Sequence, residues 1–163
     1  MKKIGIVMGS DSDLPVVQKA IDTLDALGIP YEVHIYSAHR TPDAAASFAK
    51  SARDEGFGVI IAAAGMAAHL GGVLAANTTL PVIGIPCKSK ALDGMDALLS
   101  TVMMPPGVPV ASVGIDGAAN AALLAAQILG VSDDEIAAKL AEKKEKDAAK
   151  VLEKDEKINQ QLK

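Results

Sequence analysis

A chain of 163 residues, half of them apolar, is long enough to bury one core and short for two separate domains. A net charge of -4, with two Phe, two Tyr and no Trp, excludes the basic face or stacking rings that nucleic acid demands. No stretch combines a basic start, an apolar core and a cleavage site, and no apolar run reaches the roughly 18 residues of a membrane span, so the chain reads as cytoplasmic with no membrane partner.

Lys3 to Met8 is a short apolar run broken by Gly9-Ser10-Asp11-Ser12-Asp13, and Pro15 then falls where the first turn of a helix tolerates it. Val17, Ala20, Ile21 and Leu24 recur at helical spacing, and Gly28 is a natural stop. A second strand runs from Tyr31 to Tyr36 and gives way to Ser37-Ala38-His39-Arg40. Thr41 and Pro42 open a helix that carries Ala45, Phe48, Ala49 and Ala52 and stops at Gly56. Val59 to Ala64 is a third strand ended by Gly65, and Ala67 to Ala76 predicts a small-residue helix. Pro81 to Pro86 is a fourth strand, and Asp93 to Met103 a helix with Met95, Leu98, Leu99 and Val102 on one side. After the turn Pro105-Pro106-Gly107, Val108 to Val113 is a fifth strand. Asp116 to Leu129 is an alanine-rich helix with Leu123, Leu124 and Ile128 as its larger apolar residues and Gly130 as its stop.

Five strand-helix units without linkers imply a parallel sheet covered on both faces, a three-layer α/β sandwich. Ligands in such sheets bind beyond the carboxyl ends of the strands. The turns Gly9–Asp13, Ser37–Arg40, Gly65–His69 and Lys88–Lys90 all follow strands and so share one rim.

The composition changes at Ser132. Ser132-Asp133-Asp134-Glu135 has the form of a capping box, so a long helix starts there, dense in Lys and Glu. Its apolar residues, Ile136, Leu140, Val151, Ile158 and Leu162, are too sparse for the core of its own subunit. Two readings stand side by side, a solvated helix and an arm laid across another subunit. We place residues 1–131 in the α/β domain and 132–163 in a helical arm of that same domain.

The second turn joins an imidazole, whose ordinary titration range straddles neutrality, to a guanidinium fork suited to phosphate, at the start of a helix. This is an anion site with an acid/base beside it. The first turn lacks both the Gly-x-Gly-x-x-Gly of dinucleotide folds and the Gly-Lys-Ser/Thr of a P-loop, but its hydroxyls and helix-start N–H groups suit a monophosphate, and Asp13 can accept from ribose hydroxyls. His34 lies within a strand and reads as structural, whereas His39 and His69 both fall on the rim. No His-x-x-x-His pair or third ligand argues for a metal, and no Gly-x-Ser-x-Gly argues for a hydrolase. Lone Cys87 reads as a packed, neutral thiol, and Lys88 and Lys90, which either close over a phosphate or only solubilise their loop, stand outside the core site.

Met8-Gly9-Ser10-Asp11-Ser12-Asp13, Ser37-Ala38-His39-Arg40-Thr41-Pro42 and Gly65-Met66-Ala67-Ala68-His69-Leu70, in that order, closely resemble the motifs of the 5-(carboxyamino)imidazole ribonucleotide mutase family of purine biosynthesis. Leu80–Pro86, Asp96–Ser100 and Asn120–Ala125 fit the same pattern, so the resemblance spans roughly residues 3 to 130. It implies a flavodoxin-like fold, a homo-octamer and a small-molecule ribonucleotide monophosphate substrate. It also implies a carboxylate shift from an exocyclic nitrogen to a ring carbon without metal, ATP or redox cofactor. By the same resemblance Ser10, Asp13 and Arg40 match substrate-binding residues, and Ser12, Ser37 and Gly65 complete that set. His39 matches the catalytic histidine and His69 the second histidine of the site.

Two features qualify the match. The family usually continues its second His-Leu with Pro-Gly, where this chain has Gly71-Gly72, which predicts a more mobile loop. The related carboxylase branch, which takes free carbon dioxide, typically has Lys in place of the central Arg and lacks the second histidine. Arg40 and His69 are both present here. From a different class, an idle nucleotide-binding module would have no use for His39.

Overall fold

The computed structural model describes residues 1–162. Five parallel strands, β1 (Lys3–Met8), β2 (Tyr31–Ile35), β3 (Phe57–Gly65), β4 (Val82–Cys87) and β5 (Ala111–Ser112), lie in the order β2-β1-β3-β4-β5. That is the doubly wound, flavodoxin-like order, and its reversal point falls between β1 and β3. The central strands are buried on both sides, which is why they read as unbroken apolar runs, and edge strand β2 is only partly covered.

Helices α1 (Leu14–Leu27), α5 (Ala118–Gly130) and the start of α6 (Asp134–Gln161) cover one face, where Ile4, Ile6, Ile61, Ile83 and Ile85 meet Val17, Leu24 and the α5 alanines. On the other face α2 (Pro42–Ser51) and α3 (Leu70–Ala76) press Phe48, Leu70 and Leu74 onto Val7, Ile60, Ala62 and Val82. Helix α4 (Met95–Val102) lies so close to β4 that a Cβ on Gly84 would stand 2.3 Å from Thr101 Cγ2, and only glycine admits that approach. Gly28 ends α1 in the left-handed region (φ 62°) and donates its N–H to Leu24 and Asp25 carbonyls.

The structure moves several expected boundaries. Strand β5 has two residues instead of six: Pro109 has no N–H to give a ladder, and pairing with β4 starts only beyond it, at Ala111. Helix α3 starts at Leu70, since left-handed Met66 (φ 52°) turns the chain at the end of β3 and leaves His69 as the N-cap. Helix α4 starts at Met95, after left-handed Asp93 and Gly94, and α5 at Ala118, after left-handed Asp116. Gly71 sits buried in the first turn of α3 and not in a loop, facing Val110 and Ala62, a position where helix geometry already constrains the backbone.

Two burial patterns also differ from expectation. On α4 the small residues Ala97 and Thr101 are buried, while Met95, Leu99 and Val102 point outward. Close approach to Gly84 selects the small face for the sheet. On α6 Ile136 is wholly buried and Leu140 packs beside it, so the helix begins as part of its own subunit's core. Its cap is Asp133, whose carboxylate accepts from the Ile136 N–H at 3.2 Å; Ser132 is not the cap, and Glu135 instead pairs with Lys139. Beyond Leu140 the helix is held mainly by its own ion pairs, and Val151, Ile158 and Leu162 are exposed. Among the described residues, no helix is long and apolar enough to cross a membrane.

Candidate active site

The carboxyl ends of β1, β2, β3 and β4 surround a pocket of about 520 Å³, a size suited to a small-molecule ligand. It is lined by every site residue expected from the sequence: Ser10, Ser12, Asp13, Ser37, His39, Arg40, Gly65 and His69. Parallel pairing explains the convergence, since Gly9 extends the β1 ladder by donating to Ala63 O at 3.0 Å, and Tyr36 extends β2 by donating to Met8 O at 3.0 Å. A larger hollow of about 710 Å³ lies between the end of α1 and α6, away from this rim. Lys139, Lys143 and Lys146 there each face a carboxylate one turn away, so it offers no comparable convergence of free groups.

The first turn gathers two hydroxyls at the start of a helix. Ser10 caps a short 3-10 turn, Asp11–Asp13, that runs directly into α1, and its hydroxyl accepts from the Ser12 N–H at 3.3 Å. The Ser12 hydroxyl donates to Ser10 Oγ at 3.0 Å, which brings both hydroxyls to one point at a helix start. Behind them Asp13 is half-buried, and desolvation holds its carboxyl above the usual value of 3.8 against the opposing hydrogen bonds from the Ser10 backbone and the Cys87 thiol. Buried Cys87 is pushed up to about 12, first by burial and then by the charge of Asp13. It stays a thiol, as the sequence suggested.

The second turn is tied by Ser37. Its hydroxyl accepts from the N–H groups of His39 at 3.3 Å and Arg40 at 3.1 Å, while its own N–H donates to Thr41 Oγ1 at 2.8 Å. The side chains of His39 and Arg40 are thereby left exposed to the pocket side. His39 Nε2 lies 2.7 Å from His69 Nδ1, with the rings edge to face at 71°. Only one of those two facing nitrogens carries a proton, so the pair is a donor-acceptor unit along which a proton can be held or moved. His34 takes the structural part expected of it, stacked on Tyr36 and tilted against Phe48.

The Lys88–Lys90 turn lies on the rim as expected, but Lys88, left outside the core site on sequence grounds, lines the pocket together with Ser89, and Asp116, which the sequence did not single out, accepts from the Lys88 N–H at 2.9 Å. Lys88 follows β4 as His39 and His69 follow their own strands, and that position is the signal that put its turn on the rim. The link to Asp116 spans 28 residues and had none. Among the described residues, no three His, Cys, Asp or Glu side chains gather to hold a metal ion.

A doubly wound α/β sheet with a polar, histidine-bearing pocket at its reversal point describes an enzyme class, and residues 3–150 match the family model for AIR carboxylase: the chain belongs to that family. Within it the chain is 54% identical over 160 residues to the N5-carboxyaminoimidazole ribonucleotide mutase of Thermotoga maritima, covering 98% of this chain and 94% of that one. It is 55% identical over 157 residues to the enzyme of the same name from Bacillus subtilis, with 95% and 97% of the two chains covered. The crystal structure of Treponema denticola PurE superposes with a TM-score of 0.85 at 34% identity, covering 95% of this chain and 97% of that one.

Proposed function

We propose that this chain is a 5-(carboxyamino)imidazole ribonucleotide mutase of purine biosynthesis, converting its substrate to 4-carboxy-5-aminoimidazole ribonucleotide. The observation that carries the reading is the His39–His69 contact at 2.7 Å on the same rim as the Ser10–Ser12 hydroxyl pair. A nucleoside monophosphate has an anionic end and a titratable base, and this pocket offers a complement to each.

The Ser10 and Ser12 hydroxyls, the N–H groups opening α1 and the Arg40 guanidinium hold the phosphate, and Asp13 accepts from ribose hydroxyls. His39 delivers a proton to the exocyclic nitrogen, the N–CO₂ bond breaks, and its electron pair stays on nitrogen as carbon dioxide leaves. The electron-rich ring carbon then attacks the retained carbon dioxide. His39 takes the ring proton at that carbon, which restores aromaticity and returns the histidine to its starting state. His69, in contact with His39 Nε2, sets which nitrogen bears the proton. Retention replaces a dilute encounter with an intramolecular one, worth roughly 10⁵ or more in effective molarity.

We also propose that copies of the chain associate as a homo-oligomer, an octamer by family resemblance. Support comes from the outward face of α4, where Met95, Leu99 and Val102 share helical spacing and stand 46–55% exposed.

The decisive test is an ultraviolet assay without metal or ATP. One cuvette holds the N-carboxylated ribonucleotide, the other the decarboxylated ribonucleotide with bicarbonate. Product formed rapidly only in the first supports the mutase. Efficient product in the second identifies a carboxylase that takes free carbon dioxide, and silence in both identifies a binding module.

A further inference from the structure

The segment Lys88–Gly94 leaves β4, borders the pocket through Lys88 and Ser89, and ends at the left-handed pair Asp93 and Gly94 before α4. Both of its ends are held by two adjacent residues of the loop between β5 and α5. At the near end the Asp116 carboxylate accepts from the Lys88 N–H at 2.9 Å, and the Asp116 N–H donates to Pro86 O at 2.9 Å, so one residue grips the chain on either side of Cys87. At the far end Gly94 lies so close to Ile115 that a Cβ there would stand 2.7 Å from Ile115 Cγ2 and 3.2 Å from Lys88 Cα. Lys88 Nζ also meets Asp93 Oδ1 at 3.3 Å, and Ser89 Oγ meets Asp96, so the segment is a closed strap.

Asp116 holds a left-handed conformation (φ 56°), which aspartate and asparagine tolerate better than most side chains and glycine adopts freely. A tight turn fixes it, since Gly117 donates to Gly114 O at 2.9 Å. β5 ends at Ser112, two residues into its ladder with β4, so the Asp116 contacts do for the end of β4 what further strand pairing would otherwise do.

We propose that Asp116 is a positioning residue for substrate binding: by accepting from the Lys88 N–H it pins the Lys88–Gly94 strap so that Lys88 and Ser89 stand at the pocket wall. This role rests on the function proposed above. It predicts that Asp116 acts on substrate affinity and not on the proton transfers, because it touches neither His39 nor the hydroxyl cradle.

Two variants keep the left-handed backbone and separate its effects. Asp116→Asn retains an acceptor oxygen, and Asp116→Gly removes it. Amide hydrogen exchange by mass spectrometry on the whole chain reads the strap, and initial rates on the N-carboxylated ribonucleotide read KM and kcat, with melting curves confirming that both variants fold. Asp116→Asn should match the wild type within about twofold, whereas Asp116→Gly should speed exchange across 88–94 and raise KM about five- to tenfold, the effect of one lost hydrogen bond, at nearly constant kcat. The proposal is overturned if Asp116→Gly exchanges like the wild type, if the two variants raise KM alike, or if kcat falls with KM unmoved. A wild-type chain that turns over nothing would instead remove the functional reading and the positioning role with it, while the exchange comparison would still judge the strap's anchor on its own.

Discussion

His39 and His69, thirty residues apart in the chain, meet at 2.7 Å between Nε2 and Nδ1. Each lies four residues beyond the end of its own parallel strand, and β2 and β3 flank β1 with Ile35 and Ala63 both in register with Met8, so the sheet brings the two turns to one rim. In the proposed mechanism this contact gives His39 a partner that orients its ring while the side chain still lines the pocket.

His39→Asn should therefore lower turnover by at least about 10²-fold, within the range of a lost general acid/base, while the ribonucleotide binds within about tenfold of wild type. His69→Asn should cost less, because it leaves the proton donor in place and removes only its orienting contact. Paired kinetics and calorimetry on the two variants check the order. Equal losses would mean that both rings act on the substrate.

Arg40→Ala should weaken binding by about 1.5–3 kcal/mol, the usual worth of a charge-assisted contact, with the loss expressed in KM. The fold should be untouched, because the Arg40 side chain is exposed and the turn is tied through its backbone N–H to Ser37. Unchanged affinity would remove Arg40 from the phosphate site.

Asp13 makes a prediction about stability. Burial raises its folded carboxyl pKa above 3.8, so its favourable contribution is fully present below that value and is lost as pH rises through the folded pKa. At neutral pH the ionised carboxylate is thus a cost to the fold. Asp13→Asn should melt higher than wild type at pH 7, lose that advantage as pH falls towards 4, and bind the ribonucleotide less well. A variant that melts lower at pH 7 would show that the hydrogen bonds to Asp13 outweigh its burial.

Ile136→Ala should destabilise the chain by about 2–5 kcal/mol, since the side chain is wholly buried against the α5 face. Cutting the chain after Glu142 should cost far less, because nearly every described residue beyond it is exposed. Urea unfolding of both forms measures the difference, and similar losses would mean that the outer helix is held by something beyond its own ion pairs.

Leu99→Lys, at 55% exposure on the outer face of α4, should shift sedimentation towards smaller species without lowering the content of secondary structure. An unaltered sedimentation coefficient would move the association surface elsewhere.

The strand-helix alternation, the strand ends that bear Ser10, His39 and His69, and the structural part of His34 were legible because each depends on local pattern: apolar runs, helical spacing, and turns of Gly, Ser and Asp. Tertiary structure decided what depends on approach between distant segments. Gly84 lets α4 come so close that Ala97 and Thr101 face the sheet and the larger apolar residues face outward, the reverse of what side-chain size suggests. Ile136, one apolar residue in a charged helix, is core only because α6 folds back onto α5. The grip of Asp116 on Lys88 joins two loops across 28 residues, and periodicity carries no trace of it. Composition and spacing determine which elements form and which residues reach the rim, while the distances at which helices and loops meet arise only when the whole sheet has assembled.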